Sequence, residues 1–214
     1  MKESLKRADD LYRQGKYQEA YDLAVPCDQK LDPEGCAEAC RIRAWAKYYI
    51  AIKGNPEEKI RNAGHAAGYA SVVSISIDPK RRLSAYNVLP LALWISGNQS
   101  GAWEASDEAL QEFPEEPSAW NTRGILARWA KDYEQGVIIG DRVTDRSVAR
   151  GDFLTAGHGQ QNKGDALRAL GRIGEAHTAY EEALKRYRQH EHSSGKSATP
   201  HIVNAEKKLA EVSK

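Results

Sequence analysis

The chain of 214 residues has little cysteine, and the cysteines that it has are odd in number: Cys27, Cys36 and Cys40. An odd number cannot all pair within one chain and is typical of a reducing compartment, so we expect a cytoplasmic protein. Cys36 and Cys40 lie one helical turn apart, and no C-x-x-C pair occurs. We therefore interpret all three as small buried residues in helix contacts rather than as metal or redox groups.

The sequence also lacks a charge excess and a long apolar run. Its 31 Lys and Arg residues against 30 Asp and Glu residues leave a net charge of +1, which gives no support for nucleic-acid binding. No apolar stretch reaches the roughly 20 residues that a membrane-spanning helix needs. The first ten residues have no apolar core after their charges, so we expect no signal peptide and no membrane partner.

Motifs for cofactors and metals are absent or incomplete. Ser194-Gly195-Lys196-Ser197 resembles the end of a phosphate-binding loop, but His190 stands where that motif needs its upstream glycine. His190, His192 and His201 lie in a polar stretch, where a rigid third or fourth metal ligand is missing. We expect no metal and no cofactor, and the absence of a nucleophile–base pattern predicts that the protein is not an enzyme.

Apolar residues recur at helical spacing through most of the chain, which predicts an all-α protein. The best strand candidate is 71–77, which is β-branched and alternating. Its alternative is the end of a long helix that stops before Asp78-Pro79. We favour the helix, because an isolated strand would have no partner elsewhere in the chain.

Four turn segments align with one another, which indicates internal repeats. They are Gly15–Ala20, Gly97–Ala102, Lys131–Gly136 and Gly171–Ala176. Each has a small residue or proline twelve positions before its last residue, giving the pairs Ala8/Ala20, Pro90/Ala102, Gly124/Gly136 and Gly164/Ala176. Such pairs predict a close crossing of two antiparallel helices, because large side chains there would push the helices beyond about 8–10 Å.

The pattern resembles the tetratricopeptide repeat (TPR) over about three quarters of the chain. Glu19-Ala20 and Glu175-Ala176 match the opening of the repeat's second helix, Tyr17 and Tyr133 match its turn tyrosine, and Trp120 matches an aromatic of its first helix. The resemblance implies a right-handed α-solenoid of about five antiparallel helical hairpins. It also implies that the first helix of each hairpin lines a concave groove.

We expect a single TPR-like domain over 1–214 with irregular spacing. The hairpins are placed near 1–34, 35–80, 83–116, 117–150 and 151–190, followed by a capping helix over 200–213. The second hairpin is degenerate, because Lys47 and Lys59 replace its small pair. The polar stretch Gln189–Pro200 reads as a loop or mobile linker, and Thr199 is expected to cap the last helix, with Pro200 in its first turn.

Aligning the hairpins on their turns predicts the residues of the partner-binding groove. They are Tyr48, Asn87, Trp94, Asn121, Arg128, Trp129, Gln161, Asp165 and Arg168, and Tyr12 belongs to the same face as Tyr48. Side-chain amides in register can pair with an extended peptide backbone, arginines with carboxylates, and tryptophans with apolar anchors. The alternative is that the amides bond neighbouring helices and the tryptophans fill gaps between them.

The resemblance implies a protein-interaction module or scaffold that binds a partner protein or extended peptide. The family's chaperone-binding clamp needs Lys and Asn where Leu5 and Asp9 stand, so that activity is not expected. One alternative is a self-associating structural protein that pairs through the last helix or the second hairpin as a homo-oligomer. Another is an enzyme or small-molecule sensor with a pocket near Trp94 and Trp129.

Overall fold

The computed structural model describes residues 2–25 and 32–213, and these residues form twelve α-helices and no strand. The all-α prediction is confirmed, and Ser71–Ser74 end a helix as favoured. The chain divides into two compact units, 1–112 and 113–214. The expectation of a single domain stays a prediction, and Cys27 lies outside the described residues.

In the first unit, seven helices follow one another along the chain. They are α1 (Lys2–Arg13), α2 (Tyr17–Leu23), α3 (Pro33–Lys53), α4 (Pro56–Ser74), α5 (Pro79–Tyr86), α6 (Leu89–Ile95) and α7 (Gln99–Glu112). Sequential neighbours pack against each other, and α4 also packs against α6. One core cluster joins α1, α2 and α3, where the predicted small pair Ala8 and Ala20 is completely buried beside Ile42.

The second unit contains five helices, and these too pack in sequence. They are α8 (Pro117–Trp129), α9 (Tyr133–Ala149), α10 (Phe153–Ala169), α11 (Ile173–Ser194) and α12 (Thr199–Val212). The apolar stripe of α12 reaches two core clusters on α10 and α11 through Ile202, Ala205, Leu209 and Val212. The last helix therefore packs against both α10 and α11.

Helix starts and turns follow local chemistry. Asp132 and Asp152 cap α9 and α10 by accepting hydrogen bonds from the backbone N–H groups of Gln135 and Thr155. The turn before α11 uses Gly171 at a φ of 76°, a left-handed conformation that glycine adopts without a Cβ clash.

The predicted first helix of the third hairpin is interrupted. Helix α5 ends at Tyr86 and α6 begins at Leu89, so Asn87 lies between two short helices. Pro90 in the first turn of α6 has no N–H to donate to the Tyr86 carbonyl, and its ring disfavours a continuous helix. Proline chemistry therefore accounts for a break that apolar periodicity does not reveal.

The linker prediction is wrong at its start, because α11 extends to Ser194 and only 195–198 separate it from α12. The cap prediction is also wrong: α12 has Ala198 at its N-cap position, without a side-chain cap. The hydroxyl of Thr199 instead lies 2.7 Å from that of Ser197. Polar composition suggested a loop here, but helical propagation from α11 prevails.

The glycine-rich stretch 157–164 lies inside the continuous helix α10. A Cβ at Gly164 would lie 2.6 Å from the ring of Tyr180, and one at Gly157 would clash with the ring of Tyr187. Both tyrosines are completely buried. These glycines therefore make room for large side chains of α11, which agrees with the predicted close crossing at Gly164.

Candidate functional site

The predicted groove residues fall into two groups. The first unit contains Tyr48 on α3, Asn87 after α5 and Trp94 on α6; the second contains Asn121, Arg128 and Trp129 on α8, and Gln161, Asp165 and Arg168 on α10. The assignment of these residues to one partner-binding groove stays a prediction.

In the second unit, the predicted residues of α8 and α10 are hydrogen-bonded to one another. Asn162, which the repeat alignment did not select, donates from Nδ2 to Oδ1 of Asn121 at 2.9 Å. Arg128 Nη1 donates to Asn162 Oδ1 at 3.2 Å and to Asp165 Oδ2 at 2.7 Å. The side-chain amides of this face thus join neighbouring helices, which is the alternative role considered for them.

Asp165 is the centre of these contacts. Lys208 on α12 places Nζ 2.6 Å from each carboxylate oxygen, and the Tyr180 hydroxyl donates to Oδ1 at 2.9 Å. The carboxylate is only 9% exposed. Burial, and then the Asp165 charge, raise the pKa of Tyr180 above its usual value, so its hydroxyl remains a donor. We call Asn121, Arg128, Asn162, Asp165, Tyr180 and Lys208 the polar network.

Two more predicted residues lie beside the polar network. Arg168 Nη1 donates to Glu211 of α12 at 2.5 Å, in a pair whose side chains are nearly half exposed. Gln161 Oε1 accepts from the buried Tyr187 hydroxyl at 3.4 Å. Helix α12 therefore supplies a cation to Asp165 and an anion to Arg168, two positions that sequence analysis assigned to an external partner.

The predicted tryptophans have different surroundings. Trp94 packs edge to face against Trp103, with ring centroids 6.2 Å apart. Trp129 is the last residue of α8 and is half-buried. The pocket expected near Trp94 and Trp129 stays a prediction.

The first unit presents a chain of packed aromatic rings, which we call the aromatic cluster: Tyr12, Tyr17, Trp45, Tyr48 and Tyr49. Tyr17 and Tyr49 stack at 4.7 Å with an angle of 9° between their planes. Trp45 stacks on Tyr49 at 6.0 Å, and Tyr12 lies 6.0 Å from Tyr49. Tyr48 is buried, whereas the other four rings are half-buried and keep part of their surface exposed.

Polar groups hold the aromatic cluster in place. The Trp45 indole Nε1 donates to Ser84 Oγ at 3.0 Å. Lys53 Nζ lies 4.8 Å from the centre of the Tyr17 ring, within cation–π range. Burial, and then the neighbouring Tyr49, raise the pKa of Tyr12, so its hydroxyl stays neutral at physiological pH.

Sequence analysis identified part of this cluster. Tyr12 and Tyr48 were placed on the groove face, and Tyr17 was identified only as a turn residue. Trp45 and Tyr49 were missed, although the spacing Trp45-x-x-Tyr48-Tyr49 puts three aromatics on adjoining helical positions. The stack of Tyr17 on Tyr49 joins α2 to α3 and has no local sequence signal.

Two further findings describe the chain's chemistry. Within residues 2–25 and 32–213, no three His, Cys, Asp or Glu side chains are arranged to hold a metal ion. Among the helices of those same residues, none combines the length and the apolar character needed to cross a membrane.

Comparison with known proteins gives no assignment. No protein-family model matches the chain, and no curated protein is significantly similar to it in sequence.

Proposed function

We propose that this chain is a non-catalytic, cytoplasmic interaction module that binds a partner protein or extended peptide. Its architecture in this proposal is a TPR-like right-handed solenoid of about five irregular hairpins with a capping helix. The sequential packing of the helices and the small residues at helix crossings support that architecture. So does the apolar stripe of α12 on the last hairpin.

The aromatic cluster carries the binding proposal. Tyrosine and tryptophan are enriched at binding hot spots, because they offer a large apolar area at a small cost in conformational entropy. Four half-buried rings, packed against each other and held by Ser84 and Lys53, form a preorganised surface. In this proposal the partner covers the exposed parts of Tyr12, Tyr17 and Tyr49.

The test compares two tyrosines at the same place in their hairpins. Tyr17 begins α2 within the aromatic cluster, whereas Tyr133 begins α9 outside it. We expect affinity capture from a native lysate with the Tyr17→Ala variant to lose proteins that the wild type and Tyr133→Ala retain. Circular dichroism melts of the two variants check that each still folds.

Retention of every captured protein by folded Tyr17→Ala would overturn the proposed binding surface. Equal losses in Tyr17→Ala and Tyr133→Ala would do the same, because the effect would then belong to the turn and not to the cluster.

A second candidate function, self-association, is favoured by the connection between α4 and α5. Ile75 and Ile77 are 82% and 84% exposed. Arg82 Nη1 holds this connection by donating to the carbonyls of Ser76 at 2.7 Å and Ile77 at 3.0 Å. Sedimentation velocity at several concentrations should show a dimer of the wild-type chain. The double variant Ile75→Ser with Ile77→Ser should be monomeric. A wild-type chain that is monomeric at every concentration would exclude this function.

A further inference from the structure

Two histidines face each other where α12 begins to pack on α10. His158 Nε2 lies 3.4 Å from His201 Nδ1, and the ring centroids are 4.7 Å apart. His158 belongs to α10 and His201 to the first turn of α12. Only the four non-helical residues 195–198 separate α11 from α12, so this pair lies close to the point where the last helix folds back.

The pair is enclosed by a completely buried tyrosine of α11. The Tyr187 ring stacks on His201 at 5.4 Å with an angle of 28°, and meets His158 at 5.6 Å. The backbone of Gly157 leaves the space that this ring occupies. The three rings therefore form one packed contact among α10, α11 and α12.

Few charges compensate a proton at this contact. His201 on α12 and His190 on α11 both disfavour a positive charge on His158. Asp152 at the start of α10 favours that charge. Asp152 already accepts a hydrogen bond from the Thr155 backbone. From α9, the side chains nearest to the adjacent Gly159 are those of Val143 and Thr144, and both are uncharged.

The geometry restricts the protonation of the pair. When the imidazoles are neutral, one facing nitrogen can donate its hydrogen to the lone pair of the other. When both carry a proton on the facing nitrogens, two N–H groups and two positive charges oppose each other at 3.4 Å. Protonation of the pair therefore removes an attraction and introduces a repulsion.

We propose that His158 and His201 form a proton-sensitive latch, which holds α12 on α10 and α11 at neutral pH and releases it in mild acid.

Release of α12 would change the second unit's surface. Lys208 would leave Asp165, and Glu211 would leave Arg168, so both predicted groove positions would become available to another chain. The apolar stripe of α12 would also withdraw from Leu184 and its neighbours on α11. The latch itself requires no partner, so it stands or falls independently of the proposed function.

The direction of the pH effect follows from the burial of His158. Burial, and then the His201 charge, lower the pKa of His158 from 6.5 to about 4, and burial also lowers the pKa of His201. A released α12 lets these groups return toward their ordinary values and bind more protons. The packing of α12 on α10 and α11 is therefore at full strength above about pH 6.5, and it weakens as the pH falls toward 4.

Hydrogen–deuterium exchange of the full chain, corrected for the intrinsic pH dependence of exchange, measures this equilibrium. We expect the opening constant of the α12 amides to rise on the order of tenfold between about pH 7.5 and about pH 5. The amides of α8 and α9 should keep their protection over that range. An opening constant of the α12 amides that does not change with pH would overturn the latch. An equal loss of protection throughout the second unit would also overturn it.

Substitutions separate the latch from other acid effects. His158→Gln should reduce the pH response to the share that His201 alone contributes, because glutamine cannot titrate. His201→Gln, which changes the more accessible histidine of the pair, should also reduce the pH response. The glutamine amide oxygen can accept a hydrogen bond from His158 whether His158 is neutral or protonated. His192→Gln changes an exposed histidine of α11 and should leave the response intact. An undiminished response in folded His201→Gln would show that the pair is not the latch.

Discussion

The aromatic cluster and the polar network each hold together several helices, in two different units. The aromatic cluster joins α1, α2 and α3 through ring packing, and the polar network joins α8, α10 and α12 through charged hydrogen bonds. Stacked rings contribute through buried apolar area and dispersion, which are insensitive to pH and salt. Half-buried charges contribute only while each keeps its partner.

The comparison also separates two kinds of surface. The aromatic cluster leaves four rings half-exposed, whereas Lys208 and Glu211 of α12 already occupy Asp165 and Arg168. A partner could thus reach the aromatic cluster directly. It could reach those residues of α10 only by displacing contacts of α12.

The largest expected effect comes from removing the centre of the polar network. Asp165→Ala leaves Arg128 and Lys208 without their carboxylate and should lower the free energy of unfolding of the second unit by about 3 kcal/mol. Urea denaturation measures it. The control Glu211→Ala breaks a pair that is nearly half exposed and should cost less than about 1 kcal/mol. Equal costs would show that burial does not distinguish the two pairs.

A smaller effect is expected from the middle of the aromatic cluster. Tyr49→Ala removes the ring that packs against Tyr12, Tyr17 and Trp45, and should destabilise the first unit by about 2 kcal/mol. Urea denaturation at low and high salt checks this, and the loss should be the same in both. If the loss shrinks strongly with salt, the cluster depends on its charged neighbours rather than on ring packing.

The smallest effect concerns an ion pair of the first unit. Burial raises the pKa of Asp9, but hydrogen bonds from Arg41 and Arg13 outweigh it, and the net pKa lies below 3.8. A carboxylate whose pKa is lowered by folding stabilises the fold fully above its unfolded pKa. This contribution is lost as the pH falls through the folded pKa.

Asp9→Asn should therefore cost about 1 kcal/mol near pH 7 and progressively less in strong acid. Urea denaturation at several pH values measures the difference between variant and wild type. A cost that does not change with pH would assign the role of Asp9 to packing rather than to charge.

Much of the fold was predictable because it depends on local chemistry. Helical periodicity, the capping residues Asp132 and Asp152, and the turn at Gly171 all act within a few residues. The small residues Ala8, Ala20 and Gly164 indicated helix crossings, because only side chains of limited size fit there. The break after Tyr86 was missed, since the apolar pattern continues across it.

The candidate sites were predictable only in part. Tyr12, Tyr48 and the residues of α8 and α10 were placed on common faces by the repeat alignment. The partners Asn162, Lys208 and Tyr49 were not, because hydrogen bonds and ring stacks between separate helices have no fixed sequence spacing.

The sequence by itself determined the all-α class, the four aligned turns and the positions that need small residues. These depend on backbone preference and side-chain size, which each residue carries locally. Only the tertiary structure decided that α12 supplies Lys208 to Asp165 and brings His201 against His158. Both contacts join residues 43 positions apart, and they arise from how helices dock rather than from any local preference.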